Sequence, residues 1–239
     1  MLIKTEKLPL KYRMMFLALI KEAVRQGDEE LYRHLYESAK QSAKPYSYAV
    51  FLRNFKKKDD ELEVEGATLT ISCSDPQIAV ALINGFQQIE QFTSNAYELH
   101  ISKIELVKER KINTSIVKFK TLSPLLIEDR NNKPLLIKHP EFEKELNFVC
   151  NQQFQAQFNR TLKRPIVIRD YNMQKQVIQE KNRHAGDLTL YFTAQKGEIV
   201  LEGDPSDLHL IYQTGCGNRK SQGFGLLEVI HCYDENYRE

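Results

Sequence analysis

The sequence predicts an α+β protein built from two tandem α+β halves, the first with the ferredoxin-like element order βαββαβ. Three observations carry this expectation. The chain has 239 residues, 41% apolar and 28% charged, enough for one large packed domain or two small ones. Apolar periodicity in the first half runs in the order β-α(α)-β-β-α-β. The second half is similar in kind though less regular, without an exact internal repeat. The division is expected near residues 109–116, giving domains of 1–112 and 113–239.

Leu2 and Ile3 open a short apolar strand that ends near Pro9. Leu10 to Gln26 has apolar residues at 16, 17, 19, 20, 23 and 24, a helical spacing, and Gly27 stops it. Asp28 caps a second helix, and Glu29 and Glu30 suit its positive N-terminal end. That helix runs through Leu31, Tyr32, Leu35 and Tyr36 and fades over the polar stretch 38–43. Lys44-Pro45 is a breaker, because the residue before proline avoids helical geometry. Tyr46 to Leu52 is aromatic and β-branched enough for a strand. Lys56 to Glu61 reads as a charged turn and Glu65 to Cys73 as a further strand. Asp75-Pro76 opens a helix by the cap-then-proline rule, and Ile78 to Phe86 continues it. Tyr97 to Val107 alternates as a strand.

In the second half, Ile116 to Leu126 reads as a strand. Glu141 to Leu162 is helical by the period of Phe142, Leu146, Val149, Cys150, Phe154 and Phe158. Pro165 to Ile168 and Gln176 to Gln179 read as the two strands of a basic hairpin, and 188–194 and 199–202 as extended. Leu208 to Gln213 leads into a glycine cluster, and Leu226 to Cys232 closes the fold as a strand.

Composition removes several function classes. With 10 glycines and 8 prolines the chain is neither collagen-like nor of low complexity. No apolar run approaches the roughly 18 residues of a membrane helix. Met14 to Ile20 is followed by Lys21 and Glu22 rather than a cleavage site, so it reads as a buried helix face and the protein as cytoplasmic. Cys73, Cys150, Cys216 and Cys232 lack the close pairing of a zinc site and read as reduced thiols. No metal or other cofactor is expected.

A formal net charge of +2 conceals an asymmetry. Residues 1–58 carry 13 basic and 6 acidic side chains, and residues 159–183 carry 7 and 2. Residues 59–158 and 184–239 each have five more acidic than basic groups. If folding brings the basic blocks together, they form a cleft suited to a polyanion.

The most informative stretch is Gly215-Cys216-Gly217-Asn218-Arg219-Lys220-Ser221-Gln222-Gly223-Phe224-Gly225, which holds four of the ten glycines. Glycine allows positive φ and close backbone approach, and backbone N–H groups can cradle phosphate oxygens. A Walker loop needs Lys-Ser/Thr after its last glycine, whereas Lys220-Ser221 precede Gly223. A dinucleotide fingerprint needs glycine where Lys220 stands.

This loop, with the short apolar strand after it, resembles the CRISPR-associated endoribonucleases that process repeat RNA, members of the repeat-associated RNA-binding superfamily. The segments 8–20, Lys44-Pro45-Tyr46-Ser47-Tyr48-Ala49-Val50-Phe51, 78–85 and Lys120-Thr121-Leu122-Ser123-Pro124 resemble the same family. The resemblance implies two ferredoxin-like domains and metal-independent cleavage of the precursor transcript within its repeats, leaving a 2′,3′-cyclic phosphate and a 5′-hydroxyl. It implies CRISPR repeat RNA as partner, and leaves open a homodimer and association with other subunits of a CRISPR interference complex.

Such cleavage needs a base for the ribose 2′-OH, an acid for the departing 5′-oxygen and a cation for the phosphorane. The family's catalytic histidine stands at the end of the first helical region. Here Tyr36 occupies that position and His34 lies two residues earlier. Lys44 matches a lysine that some members use, and Lys21 lies where others carry an active-site tyrosine. His34, Tyr36, Lys44 and Lys21 are therefore the catalytic candidates. On one helix, residues 34 and 36 point about 200° apart, so they share a site only if the helix has ended. The RNA-binding candidates are Gly215, Gly217, Asn218, Arg219, Lys220, Ser221, Gln222 and Gly223 in the loop. Arg164, Arg169, Lys175, Lys181 and Arg183 join them from around the basic hairpin, as arginine forks and lysine point charges. A non-catalytic repeat-RNA-binding subunit is the alternative reading. An unrelated small-ligand enzyme using the loop for a phosphate is a third.

Overall fold

A computed structural model of the chain describes residues 1–38, 43–182 and 188–233. The first half comprises β1 (Leu2–Lys4), β2 (Lys7–Pro9), α1 (Arg13–Gly27), α2 (Glu29–Arg33), a π-helical turn (His34–Ser38), β3 (Tyr46–Leu52), β4 (Lys56–Lys58), β5 (Glu61–Glu63), β6 (Ala67–Cys73), α3 (Pro76–Gln88), β7 (Gln91–Ser94) and β8 (Tyr97–Lys103). Its antiparallel main sheet has the order β3-β6-β1-β8-β7, and α1 packs against α3. Phe16, Leu19, Ile20 and Ala23 are fully buried because α1 presents one apolar stripe to this core. Asp28 and Asp75 cap α2 and α3, accepting from Leu31 N at 2.9 Å and Gln77 N at 2.8 Å.

The second half comprises β9 (Ile116–Thr121), β10 (Ile127–Glu128), β11 (Pro134–Leu135), α4 (Phe142–Phe158), β12 (Val167–Asn182), β13 (Leu188–Glu202), α5 (Pro205–Thr214), a 3-10 turn (Lys220–Gln222) and β14 (Leu227–Tyr233). Its main sheet has the order β12-β13-β9-β14. Both halves thus place their first and third strands centrally, as the βαββαβ pattern requires, and the fold is two tandem ferredoxin-like units. Each has its own buried cluster, one drawn from residues 3–99 and the other from 112–229.

Two expectations need correction, and one unassigned segment is a helix. The charged turn at 56–61 is part of a small sheet, β2-β5-β4, where Lys58 meets Glu63 at 3.0 Å and Lys7 meets Glu61 at 3.6 Å. Alternating opposite charges are a cross-strand pattern as well as a turn pattern. The expected strands 165–168 and 176–179 are not partners: they lie mainly along β12, which pairs with β13 from Val167↔Glu202 to Asn182↔Leu188. N-terminal to Glu198, β13 no longer pairs with β9, so residues 188–197 and their β12 partners run on past it as a two-stranded ribbon. Leu208–Gln213 lies within helix α5, opened by Asp204-Pro205, the same signal as Asp75-Pro76, with Asp204 accepting from Ser206 N at 2.9 Å.

Candidate functional site

Strand β3 organises the site. Side chains at 44, 46 and 48 share one side of an extended chain. Lys44 and Tyr46 meet residues from α1 and the π turn. The Tyr46 and Tyr36 hydroxyls lie 2.8 Å apart. Lys21 Nζ lies 5.0 Å from the centre of the Tyr36 ring and Lys44 Nζ 5.9 Å from it. Tyr46 is fully buried, Lys44 is 8% exposed, and Tyr36 and Lys21 are partly open.

The electrostatics follow from this enclosure. Burial pushes the Tyr36 phenol up to about 12, partly offset by its hydrogen bond to Tyr46. Burial depresses the Lys21 ammonium, and burial followed by the charge of Lys21 depresses that of Lys44. The cluster therefore holds a phenol that keeps its proton beside two amines that release theirs more readily than usual. The fold thus gathers three of the four expected catalytic residues. His34 opens the π turn on an exposed face, and among the described residues its side chain has no hydrogen bond or ion pair. Tyr46 was not anticipated, because a tyrosine in a strand reads as packing. Its signal was the spacing of two from Lys44.

The glycine loop folds against the same strand. Its 3-10 turn packs on β3 and α1, at the junction of the two halves. A Cβ on Gly215 (φ +83) would stand 2.6 Å from Ser47 Oγ, and one on Gly223 (φ +83) 3.2 Å from the Tyr48 ring. Both glycines are required by backbone shape and by this close approach. Gly217 and Asn218 tie the loop to its own half. Gln153 donates to Gly217 O at 2.7 Å, and Asn218 Oδ1 accepts from Glu128 N at 3.0 Å. Ser221 and Gln222 are half-buried on the 3-10 turn.

Neighbouring cations in the loop have opposite fates. Arg219 (φ +55) is partly open, pairs with Glu128 at 3.1 Å and lies 4.7 Å over the Phe192 ring. Lys220 is 3% exposed, and among the described residues its Nζ has no hydrogen-bond partner. Burial brings it down to about 8, against the opposing influence of Cys150 and Cys216.

The remaining basic candidates are dispersed. Arg164 and Arg169 both pair with Glu202, Arg164 at 3.1 Å. Lys175 is exposed on the ribbon. Arg183 and the side chain of Lys181 lie outside the described residues. A cleft of about 320 Å³ runs between the halves, lined by Arg13, Tyr48 and Phe51 on one side and Pro124, Gln176 and Lys196 on the other. Phe51 and Phe55 on its rim are 66% and 59% exposed, large apolar faces open to a partner. Across this seam Arg13 faces Glu180 at 3.7 Å, and Lys11 donates to Thr189 Oγ1 at 2.8 Å. No described helix is long and apolar enough to cross a membrane.

Known proteins place this architecture. No curated protein matches the sequence. The chain superposes on a solved structure described as a Cas6-related gene from Pyrococcus furiosus, with TM-score 0.73, 16% identity and coverage of 97% of this chain and 98% of that one. A RAMP protein described as binding different RNA substrates gives TM-score 0.76 at 18% identity, covering 96% and 98%. A structure described as CRISPR associated protein Cas6 gives 0.71 at 17%, covering 97% and 99%. At these identities the likeness is one of fold. The family model for CRISPR associated protein Cas6, C-terminal, matches residues 107–229, just over half of the chain and including the whole glycine loop. The chain therefore belongs to the Cas6 family of CRISPR-associated proteins.

Proposed function

We propose that this protein is a metal-independent endoribonuclease that binds CRISPR repeat RNA and cuts the precursor transcript within its repeats. The observation that carries the reading is the convergence of Lys21, Tyr36 and Lys44 on one partly open cluster. Lys44, depressed by both burial and the neighbouring ammonium, is the base: its neutral amine takes the proton of the ribose 2′-OH. As the 2′-oxygen bonds to phosphorus, Lys21 offers positive charge to the phosphorane. Tyr36 keeps its proton at neutral pH and gives it to the 5′-oxygen as that P–O bond breaks. The products are a 2′,3′-cyclic phosphate and a 5′-hydroxyl, and a proton passed from Lys44 to Tyr36 restores both groups.

The RNA lies along the seam. Arg13 and Lys196 line the cleft, and Phe51 and Phe55 offer stacking faces on its rim. Asn218, Arg219, Ser221 and Gln222 meet the strand from the glycine loop, while Gly215, Gly217 and Gly223 shape that loop. Lys175 and the ribbon extend the surface. In this reading residues 1–112 carry the chemistry and 113–239 much of the grip.

The test is cleavage of a repeat RNA in EDTA. The unmodified RNA is cut to a cyclic phosphate, whereas RNA with a 2′-deoxy scissile nucleotide is bound and left intact. Cutting of the deoxy substrate would overturn the chemistry. A second reading, retention of repeat RNA without cleavage, is favoured by His34 standing apart from the cluster. It predicts tight binding of both RNAs and no product from either.

A further inference from the structure

We infer that Tyr46, enclosed beneath the cluster, is a positioning residue that fixes the direction of the Tyr36 proton. The inference rests on the reading of Tyr36 as the acid. The two hydroxyls are 2.8 Å apart, and that contact holds one proton. Tyr46 is 0% exposed, so its hydroxyl cannot turn to water and must place its proton on an acceptor. Among the described residues, the Tyr36 oxygen is the acceptor within hydrogen-bond distance. Tyr36 is partly open and can direct its own proton elsewhere. Tyr46 therefore donates, Tyr36 accepts, and the Tyr36 O–H is left pointing out of the contact, where a leaving oxygen can take it.

The surroundings agree with that polarity. Burial holds the Tyr46 phenol well above its ordinary range, and its bond to Tyr36 pushes it further the same way. The same bond draws the Tyr36 phenol down. Of the two, Tyr36 is the one able to release a proton. Lys21 and Lys44 flank its ring and Tyr32 packs 5.2 Å away, so the ring has little freedom to turn from Tyr46.

A double-mutant cycle separates this role from simple packing. Single-turnover cleavage of a repeat RNA is measured for wild type, Tyr36→Phe, Tyr46→Phe and the double variant, with RNA affinity measured alongside. Tyr36→Phe slows cleavage by about a hundredfold or more. Tyr46→Phe slows it roughly tenfold, the worth of one oriented hydrogen bond, and leaves affinity unchanged. The double variant is as slow as Tyr36→Phe alone, because Tyr46 acts only through Tyr36. An unchanged rate in Tyr46→Phe, or a double variant slower than Tyr36→Phe by the full Tyr46→Phe factor, overturns the inference. Wild-type speed in Tyr36→Phe instead sinks the assignment of the acid.

A measurement that needs no turnover runs beside it. An enclosed, hydrogen-bonded hydroxyl proton exchanges slowly and gives a downfield proton NMR signal. The signal is expected to vanish in Tyr46→Phe and to shift in Tyr36→Phe. A signal that persists in Tyr46→Phe, or stays in place in Tyr36→Phe, overturns the inference. The Tyr36→Phe spectrum decides even if Tyr46→Phe fails to fold.

Discussion

Lys44 and Lys220 are both buried lysines, at 8% and 3% exposure, and burial weakens the charge of both. Their settings differ. Lys44 shares the Tyr36 ring with a second ammonium, and both Tyr36 and Lys21 are partly open. Lys220 lies with Cys150 and Cys216, and among the described residues its Nζ has no hydrogen-bond partner. Burying a lysine costs free energy in either place. Near an opening and a second ammonium, that cost leaves an amine that gives up its proton more readily than usual, as the proposed base requires. In an enclosed position it is only a cost to stability.

Lys44→Met carries the largest expected effect. Single-turnover cleavage should fall about 10²- to 10³-fold, with RNA affinity changed less than about threefold. A wild-type rate would leave Lys44 no closer to the chemistry than Lys220 and break the contrast.

Lys220→Met tests the other side, through the pH dependence of stability. Its folded pKa of about 8 lies below the ordinary lysine value of 10.5. Between these values the unfolded chain binds more protons than the native one, so stability due to this residue rises with pH from about 8 to 10.5. Below that window the full penalty applies, and above it the penalty is gone. Urea titrations of wild type and Lys220→Met should therefore show the variant more stable at pH 7, by about 3 kcal/mol, with the difference closing by about pH 10.5. A constant difference across the window would show that Lys220 is solvated or paired. The substitution should leave repeat-RNA affinity almost unaltered.

This contrast marks how far the sequence alone could reach. The capped helices α2 and α3 and the strand β3 were legible because their periodicity and end signals agree. Strand β13 was legible as the extended stretches 188–194 and 199–202, but its partner β12 was only half so, because between Arg169 and Gln176 Tyr171 and Met173 alone interrupt a polar run. At the candidate site, the family resemblance singled out Lys21, Tyr36 and Lys44, which the fold brings together, but the hydroxyl contact of Tyr46 was not legible. No local pattern distinguishes a tyrosine that packs from one that also bonds a second phenol. Arg219 and Lys220 are adjacent cations in sequence. Only the left-handed turn at Arg219 separates the partly open one from the buried one.

The two regions are joined through β3, and Gly223→Val probes the joint. Valine would have to adopt φ +83 with its Cβ 3.2 Å from the Tyr48 ring. A loss of about 2 kcal/mol or more in urea unfolding is expected, along with slower cleavage because Tyr48 and Tyr46 share the strand. Full stability and full activity would uncouple the loop from the cluster.

Arg219→Ala should have the smallest effect, and its size is informative. The guanidinium already has an anion, Glu128 at 3.1 Å, and an aromatic face, Phe192 at 4.7 Å. An RNA phosphate must compete with both, so truncation should weaken affinity only about three- to tenfold and reduce the salt slope by about one. Glu128→Gln separates the two roles of this side chain. If Arg219 contacts RNA, removing its carboxylate partner frees the guanidinium and binding should tighten, more so at low salt. If Arg219 only fastens the loop to β10, the same substitution should loosen the loop and weaken binding. Arg219 would then belong with Lys220 as part of the architecture, and the grip on RNA would rest on the cleft and the ribbon.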